Sequence, residues 1–311
     1  MTWTAAKPAN IALIKYMGKS ADNVPLNPSL SFTLDAFTTT VEIERIEGKT
    51  DEWDQSVPLS ERDQAKFLKH LSFLKETFGE TAAFRVRSRN NFPAHCGLAS
   101  SASSFAALTA CAAKAISELQ GRGLENPDTL NALSRRGSGS SCRSFYAPFA
   151  VWDRTGCRPI DLGMKTLRHQ VVVVDASQKE VSSSEAHKRV LTSGLWEGRV
   201  TRAEARYQAV IEGLRGGRWA EVHELVWAEF WDMHALFETS CPPFGYMSPQ
   251  SLEVQKRVRA LWKQTGDGPL VTMDAGANVH LLYREDQREL CLKFRRDALR
   301  EFKVLGEGER V

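Results

Sequence analysis

The order of apolar and polar positions divides the chain into two stretches of different character. Residues 38–44 are β-rich and alternate in their second half, which predicts a half-exposed strand. Residues 84–87 alternate likewise, and a loop follows at 90–97. Beyond it Phe105, Leu108, Ala112, Ile116 and Leu119 recur at helical spacing. They predict an amphipathic helix whose first turn lies near residues 101–104. A second polar loop covers residues 134–144. Val171, Val172, Val173 and Val174 then form an unbroken β-branched run, the pattern of a strand buried on both faces. The mixed segment before it marks a boundary between two domains, 1–168 and 169–311.

The second stretch opens with helices. Tyr207, Val210, Ile211 and Leu214 make one stripe, and Val222, Leu225, Val226, Phe230 and Met233 make another. Gly216 and Gly217 break them apart, and Cys241, Pro242 and Pro243 are expected to end the helical region. Residues 271–273 and 279–283 read as strands joined by a tight turn, with a further strand at 290–294. Five of the eight tryptophans lie between Trp196 and Trp262, and this aromatic stripe reads as core packing. The expected architecture is α+β.

Composition narrows the function. With 311 residues and 42% hydrophobic content, the chain is too apolar for disorder and long enough for two cores. A formal charge of +3 leaves no basic field suited to nucleic acid, though a few cations in one cleft still suit a small anion. No apolar stretch approaches the ~18–20 residues of a membrane span, and the run at 11–14 is short for a signal peptide. The six cysteines stand well apart with no C-x-x-C spacing, which predicts reduced thiols and a cytoplasmic setting.

Four segments carry candidate chemistry. Residues 93–104, Pro-Ala-His-Cys-Gly-Leu-Ala-Ser-Ser-Ala-Ser-Ser, place small residues and hydroxyls at a helix start. Free backbone N–H groups there suit a polyphosphate, although the segment lacks the lysine of the common P-loop motif. It reads equally as a serine-capped helix. Residues 10–19 set Lys15 and Lys19 around Tyr16, either as phosphate ligands or as solvated lysines on an edge strand. Residues 134–144 combine hydroxyls, glycines and arginines, an anion cradle or a flexible linker. Asp274, at a strand end among small residues, is a base candidate or a turn former. A neighbouring cation would keep it ionised.

Taken in order, these segments resemble the diphosphomevalonate decarboxylases, a family of the galactokinase–homoserine kinase–mevalonate kinase (GHMP) superfamily. The matching stretches are N-I-A-L-I-K-Y-M-G-K at 10–19, N-P-S-L-S at 27–31, N-N-F-P at 90–93 and G-L-A-S-S-A-S at 97–103. S-R-R-G-S-G-S-S-C-R-S at 134–144, Met233-His234-Ala235, Pro242-Pro243 and D-A-G-A-N at 274–278 complete the set. The stretch at 134–144 is the most specific of them.

The resemblance implies a GHMP-kinase-like two-domain fold with the active site in the cleft between the domains. It implies ATP and Mg²⁺, mevalonate 5-diphosphate as substrate, and a homodimer formed through the aromatic-rich second half. It gives Asp274 the substrate 3-hydroxyl, Lys19 the transferred phosphate and the carboxylate, and Asn10 the support of Lys19 and of the substrate side. Lys15, Tyr16, Ser138, Gly139, Ser140, Arg143 and Ser183 hold the substrate anion. Asn91, Gly97, Leu98, Ala99, Ser100, Ser101 and Ser103 serve ATP, with Ser100 and Ser101 near the magnesium. Arg135 and Arg136 are expected to join the cationic site.

The sequence departs from the family pattern in places. Met17 stands where a tryptophan is common, His95 and Cys96 where small residues are usual, and Ser184 where many bacterial relatives carry arginine. Ala147 and Pro148 replace small, glycine-like positions. A related kinase without decarboxylation and a silent ligand-binding relative are the other readings. Lys19, Arg143 and Asp274 together favour the decarboxylase.

Overall fold

The computed structural model describes residues 1–20, 23–93, 100–175 and 180–306. Its first half is built on β1 (Thr2–Ile14) and the long β2 (Ser29–Ile46), joined by β3 (Glu52–Trp53), α1 (Glu61–Phe78) and β4 (Ala83–Asn90). Then come α2 (Ser100–Leu119), α3 (Pro127–Ser134), a 3₁₀ helix at Gly139–Phe145, β5 (Phe149–Asp153) and β6 (Gly156–Pro159). The sheet order is β3-β4-β2-β5-β6, with β1 antiparallel to β2 from Thr2↔Glu44 to Ile14↔Leu30. The predicted half-exposed strand is the outer end of β2, where buried and partly exposed residues alternate from Phe37 onward.

The second half holds β7 (Arg168–Val173), α4 (Ser183–Arg189), α5 (Arg199–Arg215), α6 (Trp219–Glu238), α7 (Pro249–Thr265) and β8 (Leu270–Thr272). It ends with β9 (Val279–Tyr283), α8 (Arg288–Ala298) and β10 (Lys303–Gly306). Its antiparallel sheet has the order β10-β7-β9-β8. The valine strand is β7, and it is buried on both faces: Val171 and Val172 belong to different core clusters. The two predicted helical stripes are α5 and α6, separated at Gly216 and Gly217.

Three expectations are corrected. The helix at 105–119 is not amphipathic: α2 is buried nearly all round, because β1, β2, α1, α3 and the 3₁₀ helix surround it. Its many alanines let those neighbours approach closely. The helical region does not end at Pro243, since α7 starts afresh at Pro249 behind a capping box on Ser248 and Ser251. Residues 290–294 are not a strand but the middle of α8, where Cys291 and Phe294 face the core one helical turn apart.

The largest core cluster crosses between the halves. It joins Ile11, Leu13 and Phe32 to Tyr207, Val226 and Leu282. Four of the five described cysteines are buried and all five are free, but Cys241 is exposed.

Candidate active site

Where β1 ends, its chain delivers Lys15 into the floor of a cleft of about 360 Å³. A register shift between Ala12 and Ile14 precedes this point. Lys15 is only 1% exposed, so it is no solvated edge lysine. Its Nζ donates to the Ala12 carbonyl (2.8 Å) and to Asp274 Oδ1 (2.7 Å). Asp274 follows β8 in a turn pinned from three sides. His234 Nε2 donates to the Asp274 carbonyl (3.2 Å), Ser251 Oγ to the Ala277 carbonyl (2.6 Å), and Val174 N to Asn278 Oδ1 (2.8 Å). The carboxylate therefore faces the cleft from a rigid mount.

Electrostatics fix its charge. Burial works to raise the Asp274 carboxyl, but the charge and hydrogen bond of Lys15, helped by His280 and Arg143, hold it below its ordinary value. Burial likewise pulls Lys15 below the usual lysine range against the attraction of Asp274 and Glu229. The pair is an ion pair at neutral pH.

The 3₁₀ helix forms a second wall and brings Ser138, Gly139, Ser140 and Arg143 to the cleft. Arg143 is 4% exposed; its Nε donates to Asn10 Oδ1 (3.2 Å) and its Nη1 to Ser29 Oγ (3.0 Å). Asn10 also donates to Ser144 Oγ (2.8 Å). Asn10 thus braces Arg143, on the side expected to receive the substrate. Tyr16 is clamped between Trp152 and His187, with ring centroids 4.5 and 4.4 Å away. Gly139 fits against it because a Cβ there would lie 2.9 Å from the Tyr16 hydroxyl.

Lys19 lines the cleft, but its Nζ donates to Asn23 Oδ1 (2.7 Å) rather than meeting Asp274. Burial, then the charge of Lys188, lowers its pKa. Asn23 in turn donates to the Arg135 carbonyl (2.8 Å). Arg135 and Arg136 meet the site through their backbone, and the Arg136 guanidinium lies over Phe73 instead (5.5 Å). Neither lines the cleft, so the expectation that they join the cationic site is corrected; Arg62 and Lys66 of α1 line it in their stead.

The start of α2 closes the third side with Ser100 and Ser101, and Ser138 Oγ reaches Ser101 Oγ at 3.5 Å. Ser103 points elsewhere: it is fully buried, with its Oγ 2.6 Å from Thr39 Oγ1. Asn91 is not at the cleft either. Its Oδ1 accepts from Thr38 N (2.8 Å) and its Nδ2 donates to the Ala36 carbonyl (3.0 Å), tying the end of β4 to the middle of β2. The side chains of both residues, which the resemblance links to ATP, are thus engaged with their own scaffold. Gly97, Leu98 and Ala99, with His95 and Cys96, lie outside the described residues. Ser183 and Ser184 line the remaining edge, and Met17 is buried beside them.

His187 is the group that sequence reasoning missed. It sits on the short helix α4, where no stripe or motif marks it. Its Nδ1 accepts from Gly18 N (3.1 Å), which leaves the neutral ring its proton on Nε2. Burial, then Lys19 and Arg143, pull its pKa down to about 3.

A model described as the diphosphomevalonate decarboxylase-like N-terminal domain matches residues 7–158, and one described as the mevalonate 5-diphosphate decarboxylase C-terminal domain matches residues 170–304. The chain belongs to the diphosphomevalonate decarboxylase family. Among members of that family, the diphosphomevalonate decarboxylase of Aspergillus fumigatus is 31% identical over 92% of this chain and 78% of its own. The crystal structure of a mevalonate diphosphate decarboxylase from Legionella pneumophila superposes with a TM-score of 0.93 at 46% identity, covering 98% of this chain and 100% of that one. The complex of MDDEF with MVAPP, AMPPCP and magnesium gives 0.86 at 30% identity, covering 98% and 96%. The two-domain GHMP-type fold is thereby established for this decarboxylase-family chain.

Proposed function

We propose that this chain decarboxylates mevalonate 5-diphosphate at the expense of ATP, giving isopentenyl diphosphate, ADP, phosphate and CO₂. The observation that carries the reading is the ion pair of Asp274 and Lys15, set in one cleft with Arg143, Lys19 and the start of α2. An ionised carboxylate among cations suits a substrate that presents both a hydroxyl and several negative charges.

The chemistry follows from that placement. A tertiary hydroxyl is a poor leaving group. The γ-phosphoryl group of ATP passes to its oxygen while Asp274 orients the hydroxyl and takes its proton. The carbon–oxygen bond then breaks with loss of phosphate. The bond to the carboxylate breaks next, and its electron pair forms the double bond as CO₂ departs. Lys19 faces the transferred phosphate. Tyr16, Ser138, Gly139, Ser140, Arg143 and Ser183 receive the diphosphate and carboxylate, and preorganised donors of this kind stabilise charge as it develops.

Ser100 and Ser101 supply hard oxygen atoms beside a helix start, donors that suit a magnesium ion carried on nucleotide phosphates. The described residues hold no cluster of three or more His, Cys, Asp or Glu that could cage an ion. When bound, magnesium would neutralise phosphate charge. The division into domains 1–168 and 169–311, a homodimeric assembly and a cytoplasmic location belong to the same reading.

The test is incubation with ATP, Mg²⁺ and mevalonate 5-diphosphate, measuring ADP, phosphate and CO₂ together. Equal yields of all three are expected. ADP without CO₂ would instead make the protein a kinase of this substrate, and no ADP with any mevalonate derivative would make it a silent relative.

A further inference from the structure

Behind Lys15 lies a buried ionic cluster that the reaction does not touch. Glu229 of α6 and Arg199 of α5 are both 0% exposed. Arg199 Nη2 donates to Glu229 Oε1 (2.5 Å) and Nη1 to Oε2 (3.0 Å). Asp232, Arg202 and Arg206 extend the cluster toward the surface: Arg206 Nη1 reaches Glu229 Oε2 at 3.0 Å and Asp232 Oδ2 at 2.7 Å. Burial of such charges is costly, and apolar residues of similar volume often stabilise a fold as well or better. Stability alone therefore does not account for them.

Their contacts with β1 do. Lys15 N donates to Glu229 Oε1 (3.0 Å), and the Lys15 carbonyl accepts from Arg199 Nη2 (3.3 Å) and from Asn27 Nδ2 (2.9 Å). Residue 15 lies just past the last β1–β2 pair, Ile14↔Leu30, so its backbone has no ladder partner there. The ion pair takes over where the sheet stops, and grips both backbone polar groups of that one residue. Thr272 Oγ1 adds a tie from β8 to the Ala12 carbonyl (3.1 Å), the same carbonyl that receives Lys15 Nζ.

The geometry points to Arg199 and Glu229 as positioning residues: together they fix the backbone of residue 15, and through it the Lys15 ammonium against Asp274. The inference deepens the decarboxylase reading and rests on it for its kinetic consequence. Neither residue reaches the cleft. A lysine displaced by about 1 Å would cost on the order of 100-fold in rate.

The decisive variant is Arg199→Met/Glu229→Leu, which removes the charges and keeps the volume. A folded protein is expected whose thermal midpoint falls by a few degrees for the Lys15 N–H that loses Glu229, with an unchanged KM for ATP and kcat lowered by about 10- to 100-fold. The Asp274 carboxyl, which faces Lys15, Arg143 and His280, should titrate at higher pH in the variant, followed by NMR on ¹³C-aspartate protein. That titration needs no turnover, so it stays decisive even where the decarboxylase assay fails. Parental kcat and an unmoved Asp274 titration in the folded double variant would overturn the inference. If the double variant does not fold, Glu229→Gln replaces it, because its amide oxygen still accepts from Lys15 N–H. It should keep kcat within about threefold, and a larger loss in folded protein would assign the effect to charge and overturn positioning. Asp232→Asn touches the same arginines but not Lys15, and should lower stability while leaving the titration alone. A shift there as large as in the double variant would equally refute the role.

Discussion

Lys15 and Asp274 stand 259 positions apart in sequence and 2.7 Å apart in space. Each is ordinary until the other is beside it. Their coupling gives the residue-scale prediction. Asp274→Ala should abolish turnover, a loss of at least 100-fold, while nucleotide affinity measured by calorimetry stays near the parent's. Turnover within tenfold of the parent would remove Asp274 from its role. Arg143 supports a different expectation, because Asn10, Ser29 and Trp152 anchor it in the wall that holds Ser138 to Ser140. Arg143→Ala should raise the KM for the diphosphate substrate more than the KM for ATP, and equal effects would speak against its placement at the diphosphate.

The legibility of this site in the sequence also differs residue by residue. Asp274, Arg143 and residues 138–140 were readable because their types and order repeat a family pattern. Lys15 was readable as a cation, but its burial was not, since that depends on Glu229 and Asp274 arriving from other elements. For Ser103 and Asn91 the motif gives the place but not the direction: the hydroxyl and the amide turn toward their own scaffold. His187 carried no local signal at all. It became visible only when α4 folded over Gly18.

Among the elements, the 3₁₀ helix at Gly139–Phe145 makes a tight demand at its first residue. Tyr16, Trp152 and His187 form a stack against which Gly139 sits without a side chain. Gly139→Ala would place a methyl 2.9 Å from the Tyr16 hydroxyl and 3.0 Å from Trp152, and ring atoms in a stack give way poorly. A stability loss of about 1–3 kcal/mol in urea titration is expected, with a raised KM for the anionic substrate. At this scale parts of β2, β4, β7, β8 and β9 and the helices α2, α5 and α6 followed from periodicity, whereas β1, β3, β5, β6 and β10 did not. The segment now seen as α8 did not, because Leu290 to Phe294 is too short a run to separate a period of two from one of 3.6. The return to helix at α7 was hidden by two prolines that stop one helix and say nothing about the next.

For the whole molecule, acid should act first through histidines. Burial holds His70 and His223 down to about 4, with the Pro269 carbonyl partly opposing it at His223, and His187 lies at about 3. Their folded pKa values fall below the ordinary 6.5, so the unfolded chain binds more protons below that pH. The stability they contribute is complete above pH 6.5 and is lost as pH falls toward 4 and 3. Asp232, lowered to about 2 because Arg202, Arg206 and Arg199 outweigh its burial, adds its own loss only below about pH 4. The urea midpoint should therefore decline already between pH 6.5 and 4. His70→Gln should flatten that slope by about one proton, roughly 1.4 kcal/mol per pH unit. A midpoint constant down to pH 4 would contradict the assignment of neutral, buried imidazoles.

The core shared by the two halves also bears on how the chain could be divided. Ile11, Leu13 and Phe32 share one core cluster with Tyr207, Val226 and Leu282, so a cut near residue 168 would strip apolar surface from both pieces at once. Each fragment would meet water with half of a joint interior exposed, and each would be the other's natural chaperone. Two separately made pieces should find one another for the reason that keeps either from standing alone, which makes the junction near residue 168 a place to engineer reassembly rather than independence.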